Sequence, residues 1–203
     1  MSKIAIDVVL LPPEEIMDLV ISINKSSNQV IPLGKEDYIP HNSLCIAVAE
    51  EENVPQIIEI LKDISQKFFP IKIEIKDLIL SGGDRSSDWF KIEKNSELQH
   101  LHETVMDRLK KLLVFESSDI KIFYKERGET IEKIPTTFKN NYLNYAYDKY
   151  NPHMTLCCKE SRWNKFPITY TAKRLALFHA GKSTTCRKIL FETKLKEVKN
   201  EIN

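Results

Sequence analysis

Two histidines of this chain sit in near copies of one hexad. Pro40-His41-Asn42-Ser43-Leu44-Cys45 recurs as Pro152-His153-Met154-Thr155-Leu156-Cys157, each copy pairing an imidazole with a hydroxyl two residues on. On an extended strand residues i and i+2 share a face, so each hexad presents imidazole and hydroxyl together. Strict alternation then puts Leu44, Ile46 and Val48 in the first copy, and Met154 and Leu156 in the second, on the opposite, core-facing side. Histidine can serve as acid or base near neutral pH. Two of them across one groove divide a phosphoryl displacement between them. A neutral ring deprotonates water or a ribose hydroxyl while a protonated ring supplies the leaving oxygen, each worth typically about 10²- to 10⁴-fold. Ser43 and Thr155 would donate to the non-bridging phosphoryl oxygens, where charge gathers in the transition state.

A single His-x-Ser/Thr says little, because hydroxyl residues are common in any soluble chain. The repetition of the flanking proline and of Leu-Cys is what carries the functional reading. No metal is required by such chemistry. The four cysteines, Cys45, Cys157, Cys158 and Cys186, show no CxxC spacing, so zinc is not suggested. They read as free thiols of a cytoplasmic protein. His100 and His102, on a predicted helix, lack partners at metal-ligand spacing and read as surface or helix-flank residues.

The elements that must position the hexads follow from periodicity. Ile4 to Leu11 is an apolar run interrupted by Asp7, a strand ended by Pro12-Pro13. Pro13-Glu14-Glu15 opens a helix with Ile16, Met17, Val20 and Ile23 as its stripe. The first hexad strand covers 43–49. Asn53 caps a helix carrying Val54, Ile57, Ile58, Leu61, Ile64 and Phe68. Ile71, Ile73 and Ile75 alternate with polar residues as a strand, Ser81 to Asp84 is a turn, and Trp89 to Ile92 a short strand. A capping box at Ser96–Gln99 starts a helix along Leu98, Leu101, Val105 and Leu109. Ile120, Ile122 and Tyr124 suggest a strand, and 125–137 a loop. Phe138, Tyr142, Tyr145, Tyr147 and Tyr150 lead into the second hexad; their spacing fits a core-packed helix, and their rings fit base stacking, for which Tyr145 and Tyr150 are the candidates. Lys173 to Ala180 and Arg187 to Thr193 form a hairpin around Gly181-Lys182-Ser183, and the lysine-rich end from Lys194 frays.

Composition fits a single soluble domain: 203 residues, 42% apolar and 29% charged, with net charge +1 and no apolar run of membrane-span length. The N-terminus does not read as a signal peptide. Charge is uneven. Acids dominate residues 1–60, whereas residues 159–188 hold Lys159, Arg162, Lys165, Lys173, Arg174, Lys182, Arg187 and Lys188. That run reads either as a positive rim for an anion or as a solvated basic surface.

The two motifs His41-Asn42-Ser43-Leu44 and His153-Met154-Thr155-Leu156 resemble those of the 2H phosphoesterases, a family that includes 2′-5′ RNA ligases and 2′,3′-cyclic nucleotide phosphodiesterases. The resemblance implies an α+β, bilobal fold. Two pseudo-symmetric lobes of antiparallel strands, roughly 1–94 and 95–203 with strands open to exchange between them, carry helices on their outer faces and enclose the active-site groove. It implies metal- and cofactor-independent action on 2′,3′-cyclic phosphate or 2′-5′ bonds of RNA ends or small nucleotides, by a monomer with no membrane partner. His41 and His153 would be catalytic, and Ser43 and Thr155 phosphate-binding. Family analogy leans to His153 as base and His41 as acid. The long span from His41 to His153 marks 115–150 as an insertion over the groove. The main alternative is a non-catalytic RNA- or nucleotide-binding module on the same fold. A metal-dependent hydrolase or metal-storage protein using His41, His153 and the cysteines is disfavoured by the absence of ligand spacing.

Overall fold

The computed structural model describes residues 2–82 and 87–197. The predicted turn at Ser81–Asp84 and the lysine-rich end fall partly outside these residues. The β-branched first run forms β1 (Lys3–Leu11), and Pro13 then introduces α1 (Glu14–Ser26), with Glu14 and Glu15 in the first turn, where acids favour the helix dipole. A two-residue β2 (Asn28–Gln29) precedes the first hexad strand, β3 (Asn42–Glu50). Next come α2 (Val54–Ser65), β4 (Ile71–Ile79), β5 (Trp89–Ile92), α3 (Ser96–Leu109) and β6 (Leu113–Val114). The second half adds α4 (Thr136–Lys139), β7 (His153–Thr155), β8 (Cys158–Lys159), β9 (Ile168–Ala172), β10 (Arg174–Ala180) and β11 (Cys186–Lys194).

The strands form antiparallel sheets. One has the order β11-β10-β1-β3-β6, another β7-β5-β4-β9, and β2 pairs with β8. Each hexad opens a strand of a different large sheet, and each large sheet draws strands from both halves of the chain. Ile4, Ile6, Val8 and Leu10 of β1 turn to the main core, against Ile57, Leu61 and Ile64 of α2, Leu98, Leu101 and Val105 of α3, and the isoleucines of β4. Burial of each such side chain is worth about 1.5–3 kcal/mol. Val9 and Leu11, on the other face of β1, join Met17, Ile39, Ala176, Phe178 and Cys186 in a smaller cluster. Asp7 belongs to this second face. Among the described residues no helix is long and apolar enough to cross a membrane.

Several local expectations need correction. The cap of α3 is Asn95, whose side chain accepts from the Leu98 N–H at 2.8 Å, one residue before the predicted box. A single 3₁₀ turn, not Asn53 alone, leads into α2, and Asn53 makes no side-chain cap. Ile120–Ile122 is a 3₁₀ turn rather than a strand. The aromatic stretch is not one helix but α4 followed by 3₁₀ turns at Tyr142–Tyr145 and Tyr147–Lys149. Phe138 and Tyr142, spaced as on a helix, are both buried in the core. Beyond Lys194 the chain is docked as far as it is described. Leu195 is buried and its N–H donates to Lys173, while the Lys196 N–H donates to Ser65 and Phe68.

Candidate active site

Both hexads hold their imidazole by the same local device. His41 Nδ1 lies 2.7 Å from the Ile39 carbonyl oxygen, and His153 Nδ1 lies 2.9 Å from that of Asn151. A carbonyl only accepts, so Nδ1 carries the proton in both rings and Nε2 is the basic nitrogen. In each case the carbonyl belongs to the residue before the hexad proline. Pro40 and Pro152 fix their own φ and keep the preceding residue extended, which aims its carbonyl back at the ring. Both imidazoles line one cavity of about 420 Å³, with Ser43, Thr155, Tyr145 and Tyr150 on the same wall surfaces. That volume lies within the usual range for small-molecule sites.

Strict alternation fails at one point of β3. Val8 of β1 pairs with Cys45 and Val9 with Ser43, so Leu44 is the extra residue of a bulge. One added residue reverses which face the following side chains take. Ile46 therefore shares its strand face with Ser43 and lines the cavity beside it, while its buried side chain still packs in the same core cluster as Leu44.

Asp7 is the site residue that motif reading missed. It is fully buried, its Oδ2 accepts from the Ser43 hydroxyl at 2.7 Å, and the same oxygen lies 3.6 Å from His41 Nε2. Burial pushes the Asp7 carboxyl well above its usual range, against the opposing Ser43 hydrogen bond. Burial likewise pushes His41 down to about 4; the Ile39 hydrogen bond opposes this and the charge of His153 adds to it. Both shifts favour the neutral forms in the Asp7–His41 contact. The available signal was an acid at an inward position of an otherwise apolar strand. Cys186 completes the surroundings: one ligand atom each from Asp7, His41 and Cys186 fall within 4.8 Å of one another. No sequence spacing could show this, because the three come from β1, the approach to β3, and β11.

The expectation for His102 is corrected as well. It is fully buried, with Nδ1 2.7 Å from the Leu44 carbonyl, while the Tyr147 N–H donates to Nε2 at 2.8 Å. These partners fix a neutral ring with the proton on Nδ1. Tyr150 stacks on it with centroids 4.0 Å apart and planes 3° apart, and the Tyr150 hydroxyl donates to the Ser43 carbonyl at 3.1 Å. His102 therefore links the chain leading to the second hexad with the strand of the first. Burial lowers its pKa. An unfolded histidine takes up its proton near pH 6.5, whereas the folded one does so only lower. Its contribution to stability is complete above about pH 6.5 and is lost as pH falls toward the folded value. Replacing His102 with Gln is expected to cost about 2–4 kcal/mol at pH 7, by orphaning buried backbone groups. It should also make the fall in melting temperature between about pH 7 and 5 shallower than in the parent; equal slopes in thermal melts would contradict this.

Other parts of the second hexad are clamped from the first half. Asn24 of α1, buried, donates to the carbonyls of Ile31 and Leu156 at 2.9 Å and of Cys157 at 3.2 Å. Trp89 of β5, paired in register with Thr155, stands edge-on to His153 at 5.4 Å. Of the stacking candidates, Tyr145 is exposed on the cavity rim, whereas Tyr150 is buried with a ring face committed to His102. Residues 115–150 supply a wall of the cavity, through Thr137, Tyr142, Tyr145, Lys149 and Tyr150. The basic run does not: among the described residues its members are absent from the cavity lining, which holds Lys149 instead. Arg187 of that run is buried among Asp37, Glu126 and Glu129. All four cysteines are buried free thiols.

No family model matches this sequence, and no curated protein sequence matches it. Solved structures do match. TT0787 of Thermus thermophilus superposes with a TM-score of 0.61 at 14% identity, over 95% of this chain and 98% of that one. A structure described as a phosphoesterase gives 0.60 at 11%, over 97% and 100%. LigT of E. coli, in complex with ATP, gives 0.59 at 10%, again over 97% and 100%. At these identities the likeness is one of fold.

Proposed function

We propose, from the 2H phosphoesterase fold that this chain carries and the paired imidazoles of its cleft, a phosphoesterase that acts without a metal. Its substrates are 2′,3′-cyclic phosphates or 2′-5′ phosphodiester bonds, at RNA ends or on small nucleotides. The observation that carries the reading is the repeated Nδ1 anchorage, which gives two rings of identical tautomer to one cavity. Neutral, half-buried His41 is suited to take the proton of the attacking water or hydroxyl. His153, exposed at the mouth, exchanges protons with solvent and hands one to the departing ribose oxygen. This order reverses the family analogy, and the burial of His41 is the reason. Thr155 would donate to the phosphoryl oxygens, Ser43 would do so by releasing its bond to Asp7, and Tyr145 would stack on a base. The solved complexes of E. coli LigT with ATP and with 3′-AMP support a nucleotide as the ligand class.

The test is a product assay with purified protein against 2′,3′-cyclic nucleotides, ADP-ribose 1″,2″-cyclic phosphate, 2′-5′ oligoadenylate and RNA ends bearing a cyclic phosphate, in EDTA. Turnover of at least one substrate, abolished in the His41→Ala/His153→Ala double variant, is expected. Tight nucleotide binding with no product from any of them would favour the non-catalytic module instead.

A further inference from the structure

We infer that Asp7, His41 and Cys186 form a zinc site whose occupation blocks the cleft by taking the basic nitrogen of His41. The blocking rests on the function proposed above; the metal site itself does not. The three donors, a carboxylate oxygen, an imidazole nitrogen and a sulfur, already lie within 4.8 Å of one another. Tetrahedral zinc at bond lengths of about 2.0–2.3 Å sets its donors roughly 3.3–3.8 Å apart, so a contraction of about 1 Å closes the site.

Two further observations point the same way. The proton on His41 Nδ1 is already held by the Ile39 carbonyl, leaving Nε2 toward Asp7 at 3.6 Å; zinc-ligating imidazoles are commonly held so through their second nitrogen. Asp7 Oδ1, on a fully buried side chain, has no hydrogen-bond partner, and buried polar atoms rarely go without one. A cation supplies what that oxygen lacks. Sulfur and imidazole together select zinc over magnesium or calcium, which take oxygen donors. Binding releases the thiol and carboxyl protons to solvent, and the fourth position takes water or a phosphate oxygen. Among the described residues His153 belongs to no comparable group. The metal therefore ties up one member of the acid-base pair and leaves the other.

The experiment uses the full chain stripped of metal by chelation and titrated with Co²⁺. One equivalent is expected to give a thiolate-to-cobalt charge-transfer band and tetrahedral d–d bands, displaced by Zn²⁺. Cys186→Ser should abolish the charge-transfer band and weaken zinc binding by at least about a hundredfold, the upper end of what outer-shell partners alone cost. It should keep zinc-free turnover while losing inhibition by zinc. Cys186→Ala serves as a second variant, with folding of both checked by circular dichroism. No band, or a band that persists in both variants, overturns the site. Zinc that raises turnover overturns its blocking role. Because the spectra need no substrate, failure of the proposed hydrolysis would leave the band in place and be told apart.

Discussion

Replacing His41 or His153 with alanine is expected to lower turnover of a 2′,3′-cyclic phosphate by about two to four orders of magnitude each, with the melting temperature little changed for His153→Ala. His153 is exposed and spends its Nδ1 proton on a neighbouring carbonyl, so its loss removes little packing. His41 is half-buried, and its loss also leaves the Ile39 carbonyl to water. The division of labour has a sharper test. A nitrophenyl phosphodiester departs as a stable phenolate and needs no proton. If His153 is the acid, His153→Ala should recover most of its activity on that ester, while His41→Ala stays defective because water must still be deprotonated. The opposite pattern would exchange the two roles. Defects below about tenfold in both variants, on all substrates, would remove acid-base catalysis by this pair.

Arg187→Met is expected to cost about 3 kcal/mol, near the lower end of what breaking a buried ion pair costs, and to lower the melting temperature by roughly 6–12 °C for a domain of this size. The guanidinium is almost fully buried. Its Nη1 donates to both Glu129 carboxylate oxygens at 2.7 and 2.8 Å and to the Tyr38 hydroxyl at 2.9 Å, its Nε donates to Asp37, and the Tyr38 ring lies 4.1 Å from it. Asp37 and Glu126 keep access to water, which limits the cost of losing their partner. Glu129 is mostly buried and bears most of it. Gly181 makes room for the arginine, since a Cβ there would sit 2.4 Å from Arg187 Cγ. Glu126→Gln, on the exposed partner 3.8 Å away, should change stability by no more than about 0.5 kcal/mol. Denaturant unfolding that finds the two variants equal would contradict this picture.

The contrast between the histidine and arginine sites marks what was legible in the sequence. The hexads were legible because their chemistry is local: proline, imidazole and hydroxyl act within a few residues, and the duplication marked them. The alternation in β1 and β4 and the stripes of α2 and α3 were legible for the same reason. In sequence Arg187 reads as part of a positive rim or a solvated basic surface because its charge is visible, whereas the acids that neutralise it lie on loops at 37 and 126–129. His102 and Cys186 were out of reach similarly, and Asp7 showed only as an acid inside an apolar run. Their roles come from neighbours brought by other strands, and a buried polar residue looks no different in sequence from a solvated one. The bulge at Leu44 defeated the alternation rule because the extra residue shows only in the register between strands.

The strand orders also bear on how the molecule is made. β1 lies between β3 and β10, and β4 between β5 and β9. During synthesis the first imidazole and the strand beneath it leave the ribosome early, yet one edge of β1 stays unpaired until the C-terminal hairpin follows, and β4 likewise waits for β9. Neither sheet can be completed by an N-terminal fragment. The cleft is thus among the last features to form, and a nascent chain stalled before residue 168 would carry both hexads without a working groove between them.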